Sequence, residues 1–143
     1  MTIARVIAGR SRSSIATAPG NITVQQAISQ LAERRIGAMP IVADGRIVGM
    51  FSERDALYNL ASDGADALSR LVSDVMTPEP ITVDPDTTVL SALSLMTRRR
   101  IRHLPVLEHG EMIGIVSIGD LVKYRIDSIE REAEAMRSYI QAV

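Results

Sequence analysis

Apolar and polar residues along the chain fall into two alternating rhythms, and the same order of rhythms occurs twice. Val24, Ala27, Ile28 and Leu31 recur at helical spacing, and Val89, Leu93 and Met96 repeat that stripe further on. The spacing predicts helices over about 23–35 and 88–100, with Thr23 and Thr88 as N-caps whose side-chain oxygens satisfy free N–H groups. Two β-rich runs follow each helix, Met39–Ala43 with Arg46–Phe51, and Leu104–Glu108 with Glu111–Val116. Asp44-Gly45 and His109-Gly110 separate the runs and are turn pairs that close hairpins. A second helix opens at Ser52 and again at Ser117, and short strands are expected around Ser14–Ala18 and Ile81–Val83. Ala61–Ala67 reads as a loop, and Leu68–Met76 as a short helix leading into the second copy.

Laid over one another at an offset of 65, Ile36–Asp55 and Ile101–Asp120 align without a gap. Six of twenty positions are identical, where about one is expected by chance, and seven more exchange one apolar residue for another. Thr17 falls on Thr82, Thr23 on Thr88, Val24 on Val89 and Ala27 on Ala92. The chain is thus expected to be an α/β (α+β) fold of two β-α-β-β-α repeats related by a pseudo-twofold axis. The expected divisions are residues 1–62, 63–125 and a C-terminal helical extension over 126–143. A unit of about 60 residues makes a marginal core by itself, so the two are expected to pack by their sheets around one core.

Composition narrows the chemistry. The 143 residues are 46% hydrophobic and 23% charged, which suits a globular chain and excludes a disordered one. Sixteen basic and 17 acidic residues leave a net charge of −1, with no gross electrostatic pull toward nucleic acid or membrane. Aromatic residues, at 3%, offer few stacking platforms for single strands, which further disfavours nucleic acid. Cysteine is absent, and His103 and His109 lack a metal-site spacing, so no metal is expected. Met1–Gly9 is too short and interrupted for a signal peptide, and no apolar run reaches membrane-spanning length, so a cytoplasmic protein is expected. No nucleophile–base pair is evident, so no enzymatic activity is expected.

Each repeat ends in a glycine, an apolar pair and then Ser-x-x-Asp: Gly49-Met50-Phe51-Ser52-Glu53-Arg54-Asp55, and Gly114-Ile115-Val116-Ser117-Ile118-Gly119-Asp120. With Arg100-Ile101-Arg102-His103-Leu104-Pro105, these phrases resemble the cystathionine-β-synthase (CBS) domain family, and in particular stand-alone bacterial two-CBS proteins. The resemblance covers about Ile15 to Lys123 and implies an adenine-nucleotide-binding regulatory module, for AMP, ADP, ATP or NAD(H). It implies that Asp55 and Asp120 accept hydrogen bonds from ribose hydroxyls, and that Ser52 and Ser117 stand at helix starts favourable to phosphate. Thr17 and Thr82 would contact adenine or ribose, and Ala38 to Pro40 and His103 to Pro105 would line the base pocket. Arg102, His103 and Arg54 would neutralise phosphates.

The same Ser-x-x-Asp pair is also close to a capping box, which stabilises a helix start with no ligand at all, and the two roles are compatible. Gly37-Ala38 against Arg102-His103, and Arg54 against Gly119, make the repeats chemically unequal. Arg98, Arg99 and Arg100 suit either a helix terminus or phosphate. Val122, Ile126, Ile129, Ala133, Met136, Ile140 and Val143 form a heptad seam flanked by charges, which points to a homodimer that signals to a further protein. A helix folded back on its own core, or a ligand-independent scaffold dimerising through this helix, are the competing readings.

Overall fold

The computed structural model describes residues 1–142, so Val143 of the seam lies outside the described residues. In chain order it contains α1 (Ile3–Ile7), β1 (Ala18–Pro19), α2 (Val24–Arg34), β2 (Ala38–Ala43), β3 (Arg46–Ser52) and α3 (Glu53–Asp63). There follow α4 (Val72–Val75), β4 (Thr77–Pro78), α5 (Val89–Arg99), β5 (His103–Glu108), β6 (Glu111–Ser117) and α6 (Ile118–Ala142).

The repeat is written into the hydrogen bonds. Thr23 accepts from the Gln26 N–H at 3.1 Å, and the Gln26 side chain accepts from the Thr23 N–H at 2.9 Å, a reciprocal box at the start of α2. Thr88 caps α5 through the Ser91 N–H at 3.0 Å. Both helices stop at a left-handed arginine, Arg35 (φ 53°) and Arg100 (φ 55°). Both hairpins turn through two residues of positive φ, Asp44-Gly45 and His109-Gly110, the geometry that matches the twist of the flanking strands. Each hairpin even carries a register shift at the same place, between Ile41 and Val42 and between Val106 and Leu107.

The first strands are shorter than expected. Residues Arg12–Ser14 make a 3₁₀ turn capped by Ser11, and only Ala18 and Pro19 pair with β2, in parallel. In the second copy Val83 alone bridges Val106, through Val83 N–H to Pro105 O (3.0 Å) and Leu107 N–H to Val83 O (2.8 Å). Proline ends the first of these strands because it has no N–H to continue a ladder. The expected loop over 61–67 is also revised. Helix α3 runs to Asp63, stops at Gly64 (φ 64°), and a 3₁₀ segment Gly64–Ser69 buries Ala67 completely before α4 begins.

The expectation of a single shared core does not hold. Two buried clusters form, one around Met39, Ile41 and Phe51, the other around Met96, Leu104 and Val116. Each is completed by a short helix lent from the other half. Ile3 of α1 is fully buried in the cluster of the second repeat, and Val72 of α4 in that of the first. The backbone contacts match pairwise: Ile3 N–H to Thr87 O (2.8 Å) against Val72 N–H to Ile22 O (2.9 Å), and Ala4 N–H to Pro85 O (3.0 Å) against Ser73 N–H to Gly20 O (3.0 Å). Exchange supplies the apolar surface that a unit of about 60 residues lacks.

Helix α6 is one uninterrupted helix of 25 residues. Leu121 packs into the core, whereas Val122, Ile126, Ile129, Met136 and Ile140 are exposed, so the seam does not fold back on its own repeat.

Candidate functional site

A cleft of about 480 Å³ opens between the repeats. Its walls are the start of α3, the segment through and after β4, and the link from α5 into β5. Six expected residues meet there, Ala38, Ser52, Arg54, Asp55, Arg102 and His103. The other six lie elsewhere. Pro40 and Pro105 are buried within their strands, Thr17 is exposed, and Thr82 borders a separate groove with Asp84 and Ser91. Ser117 and Asp120 form the equivalent corner of the second repeat.

At the cleft, Asp55 sits in the first turn of α3. Its Oδ2 accepts from the Ser52 N–H (2.9 Å) and the Ser52 hydroxyl (3.1 Å), and its Oδ1 from the Thr77 hydroxyl (3.2 Å). The Ser52 oxygen in turn accepts from the Asp55 N–H at 3.3 Å, so the motif caps the helix. The carboxylate is nonetheless at the cleft wall, with acceptor capacity beyond these bonds. Sequence reasoning placed Thr17 in this neighbourhood; the hydroxyl on Asp55 belongs to Thr77, which the short β4 pairs against Met50 of β3. Glu53, Tyr58, Glu79 and Ile81 also line the cleft and carried no sequence signal, since they lie outside the aligned motif or in its variable positions.

Arg54 reaches across to donate to the Arg100 carbonyl at 2.7 Å, which ties the start of α3 to the end of α5. A positive side chain at that carbonyl complements the helix terminus. Gly37 lets Glu53 and His103 approach: a Cβ there would lie 3.3 Å from His103 Cε1 and closer still to the Glu53 carboxylate. Burial pushes the His103 pKa below its ordinary 6.5, against the pull of Glu53 and Asp120, while Arg102 adds to the lowering. The imidazole is thereby biased to its neutral form, which can donate from one nitrogen and accept at the other.

The second corner is arranged differently. Ser117 and Asp120 repeat the cap, with Ser117 N–H to Asp120 Oδ2 at 2.9 Å and Asp120 N–H to Ser117 Oγ at 3.0 Å. Arg10 lies against this carboxylate, with Nη2 3.3 Å from Oδ1, and also donates to the Ile115 carbonyl at 3.2 Å. Burial alone would raise the Asp120 pKa, but the Ser117 bond and the Arg10 charge outweigh it and hold the group below 3.8. Among the described residues, no cluster of His, Cys, Asp or Glu is arranged to hold a metal, and no helix is long and apolar enough to cross a membrane.

Two interlocked repeats, each with a capped Ser-x-x-Asp corner and one of those corners at the wall of the inter-repeat cleft, define a paired-repeat architecture. The CBS domain model matches residues 7–62 and again 72–127, and the chain belongs to the CBS-domain family. It is 40% identical over 124 residues to the mitochondrial CBS domain-containing protein CBSX3 of Arabidopsis thaliana, covering 83% of this chain and 60% of that protein's length. Its fold matches a CBS-domain protein from Burkholderia ambifaria with a TM-score of 0.83 and 35% identity, over 89% of this chain and 95% of the other. CBSX2, solved in complex with AMP, matches with a TM-score of 0.75 and 26% identity, over 88% and 96% of the two chains.

Proposed function

We propose that the inter-repeat cleft binds an adenine nucleotide and that the chain reports its occupancy to a partner protein as a homodimer built on α6. The observation that carries this reading is Asp55, an acceptor-only group held at the mouth of a helix-start pocket of ligand-binding size. The AMP complex of a family member with the same fold supports the choice of ligand. Asp55 takes the ribose diol, Ser52 and the start of α3 favour phosphate, and Arg102 adds positive charge. Ala38 and His103 border the base from the two strand starts, while Arg54, engaged with Arg100, positions the wall. Residues 1–62 and 63–125 act as the two halves, and 126–143 as the dimer arm. The exposed apolar stripe of α6 supports the dimer.

Calorimetric titration of ligand-stripped protein with AMP, ADP, ATP and NAD(H) tests the reading. At least one of them is expected to bind, and Asp55→Asn is expected to weaken it by about ten-fold or more, since a hydrogen bond to a charged group is worth about 1.5–3 kcal/mol. Failure of every nucleotide to bind the wild type overturns the sensor reading and leaves a scaffold that dimerises through α6.

A further inference from the structure

Thr77 and Arg10 both donate to the carboxylate of a Ser-x-x-Asp corner, one with a neutral hydroxyl and the other with a charged fork. Helices α1 and α4 correspond at an offset of 69, with Ile3, Val6 and Ile7 matching Val72, Val75 and Met76. The end of each helix then passes a glycine of the opposing hairpin. Met76 crosses Gly49, and Ile7 crosses Gly114, where an added Cβ would lie 3.3 Å from the Ile7 side chain. In the first corner this track delivers the Thr77 hydroxyl to Asp55. In the second it delivers a guanidinium to Asp120.

The chemistry of that guanidinium matters. A ribose diol meets a carboxylate with two neighbouring O–H donors. Arg10 meets Asp120 with two neighbouring N–H donors, Nη2 to Oδ1 at 3.3 Å and Nη1 to Oδ2 at 3.5 Å. Its Nη1 also faces the Ile115 carbonyl, which fixes the fork in the plane of the site. Arg12, the first residue of the 3₁₀ turn, pairs with Glu111 at 3.2 Å, a second anchor two residues beyond Arg10. We infer that Arg10 is an internal occupant of the second nucleotide site: it takes the place of a ribose diol on Asp120, so the chain fills the Asp55 cleft first and admits a second adenine nucleotide only when Arg10 withdraws. This rests on the reading of Ser-x-x-Asp corners as nucleotide sites.

The pair is partly exposed, at 42% for the Arg10 side chain and 34% for Asp120. An ion pair of that kind weakens a competitor by about two- to five-fold. The occupant is therefore a bias between the sites, displaceable by ligand, and a nucleotide phosphate offers Arg10 an alternative partner as it leaves.

The test is an NMR titration with AMP, or with whichever nucleotide binds the wild type more tightly, following the amides of Gly49 and Asp55 separately from those of Gly114 and Asp120. In wild type the Asp55 group is expected to saturate first. In Arg10→Ala the Asp120 group is expected to tighten by at least two- to five-fold, with the Asp55 group unchanged. Arg10→Lys, which keeps the charge and loses the fork, is expected to fall between. An Asp120 group that saturates as early as Asp55 in wild type, or that is unmoved by Arg10→Ala, overturns the inference while leaving the cleft reading intact. Binding at Asp120 alone, and only in Arg10→Ala, keeps Arg10 as the occupant of that corner but overturns the filling order together with the cleft reading. Absence of binding in both proteins overturns both.

Discussion

Truncating Ile3 to alanine measures how much the exchanged helices hold the repeats together. Ile3 lies on a five-residue helix that would not persist alone, and it is 0% exposed among Val83, Val89 and Met96 of the opposite repeat. Removing three carbons costs about 2.4 kcal/mol in transfer free energy at about 0.8 per methylene. The cavity left against those neighbours adds to this, so about 3–4 kcal/mol is expected, within the range for large-to-small core changes. Val72→Ala, the matching change on α4, removes two carbons and is expected to cost about 2–3 kcal/mol. Urea unfolding followed by far-UV circular dichroism gives the totals, and hydrogen exchange gives their location. Ile3→Ala is expected to deprotect α5, β5 and β6, which are distant in sequence, and Val72→Ala to deprotect α2, β2 and β3. A cost for Ile3→Ala below about 1 kcal/mol, the level of surface substitutions, refutes the exchange argument. So does loss of protection confined to the first ten residues.

Gly37→Ala puts a methyl group into the gap between Glu53 and His103; thermal stability is expected to change little, because the Glu53 side chain can yield, while nucleotide affinity falls several-fold in calorimetry. Stability is expected to fall as pH drops from the ordinary His103 value of 6.5 toward its lowered folded value, because the unfolded chain takes up the proton first. Thermal melts across that window check this, and a His103→Asn protein with an undiminished slope counts against it. Asp120 has the opposite origin and a separate window: its contribution is present above 3.8 and is lost as pH falls through the lower folded value. Ile129→Asp with Met136→Asp is expected to give a folded monomer in sedimentation, since both side chains are exposed; a dimer that survives both changes moves the interface off α6.

The elements with local signatures were legible in the sequence: both amphipathic helices with their threonine caps, both hairpins with their turn pairs, and the serines that open α3 and α6. What escaped was set by long-range exchange. Ile3, Val6 and Ile7 carry the same spacing as Val72, Val75 and Met76, but at an offset of 69. The four extra residues, around the Arg12–Ser14 turn, break the 65-residue register and hide the correspondence. A search allowing that gap would have found it. The cleft was half legible for the same reason. Asp55, Ser52, Arg102 and His103 lie within the aligned block, whereas Thr77 and Arg10 arrive on the exchanged tracks and meet carboxylates 22 and 110 residues away.

Helix α6 begins at the Ser117 cap and runs 25 residues without a break, so its base and its exposed seam belong to one rigid rod about 37 Å long. Asp120 lies in the first turn of that rod, where Arg10 grips it. Leverage follows from the proportions. A tilt of about 3° at the base swings the far end by about 2 Å. In the proposed dimer a shift of that size along the exposed stripe is enough to change which side chains meet. The corner that holds its own arginine is thus mechanically the closer of the two to the exposed stripe, and under the proposed function the cleft at Asp55 acts on the rod through the packed repeats between them.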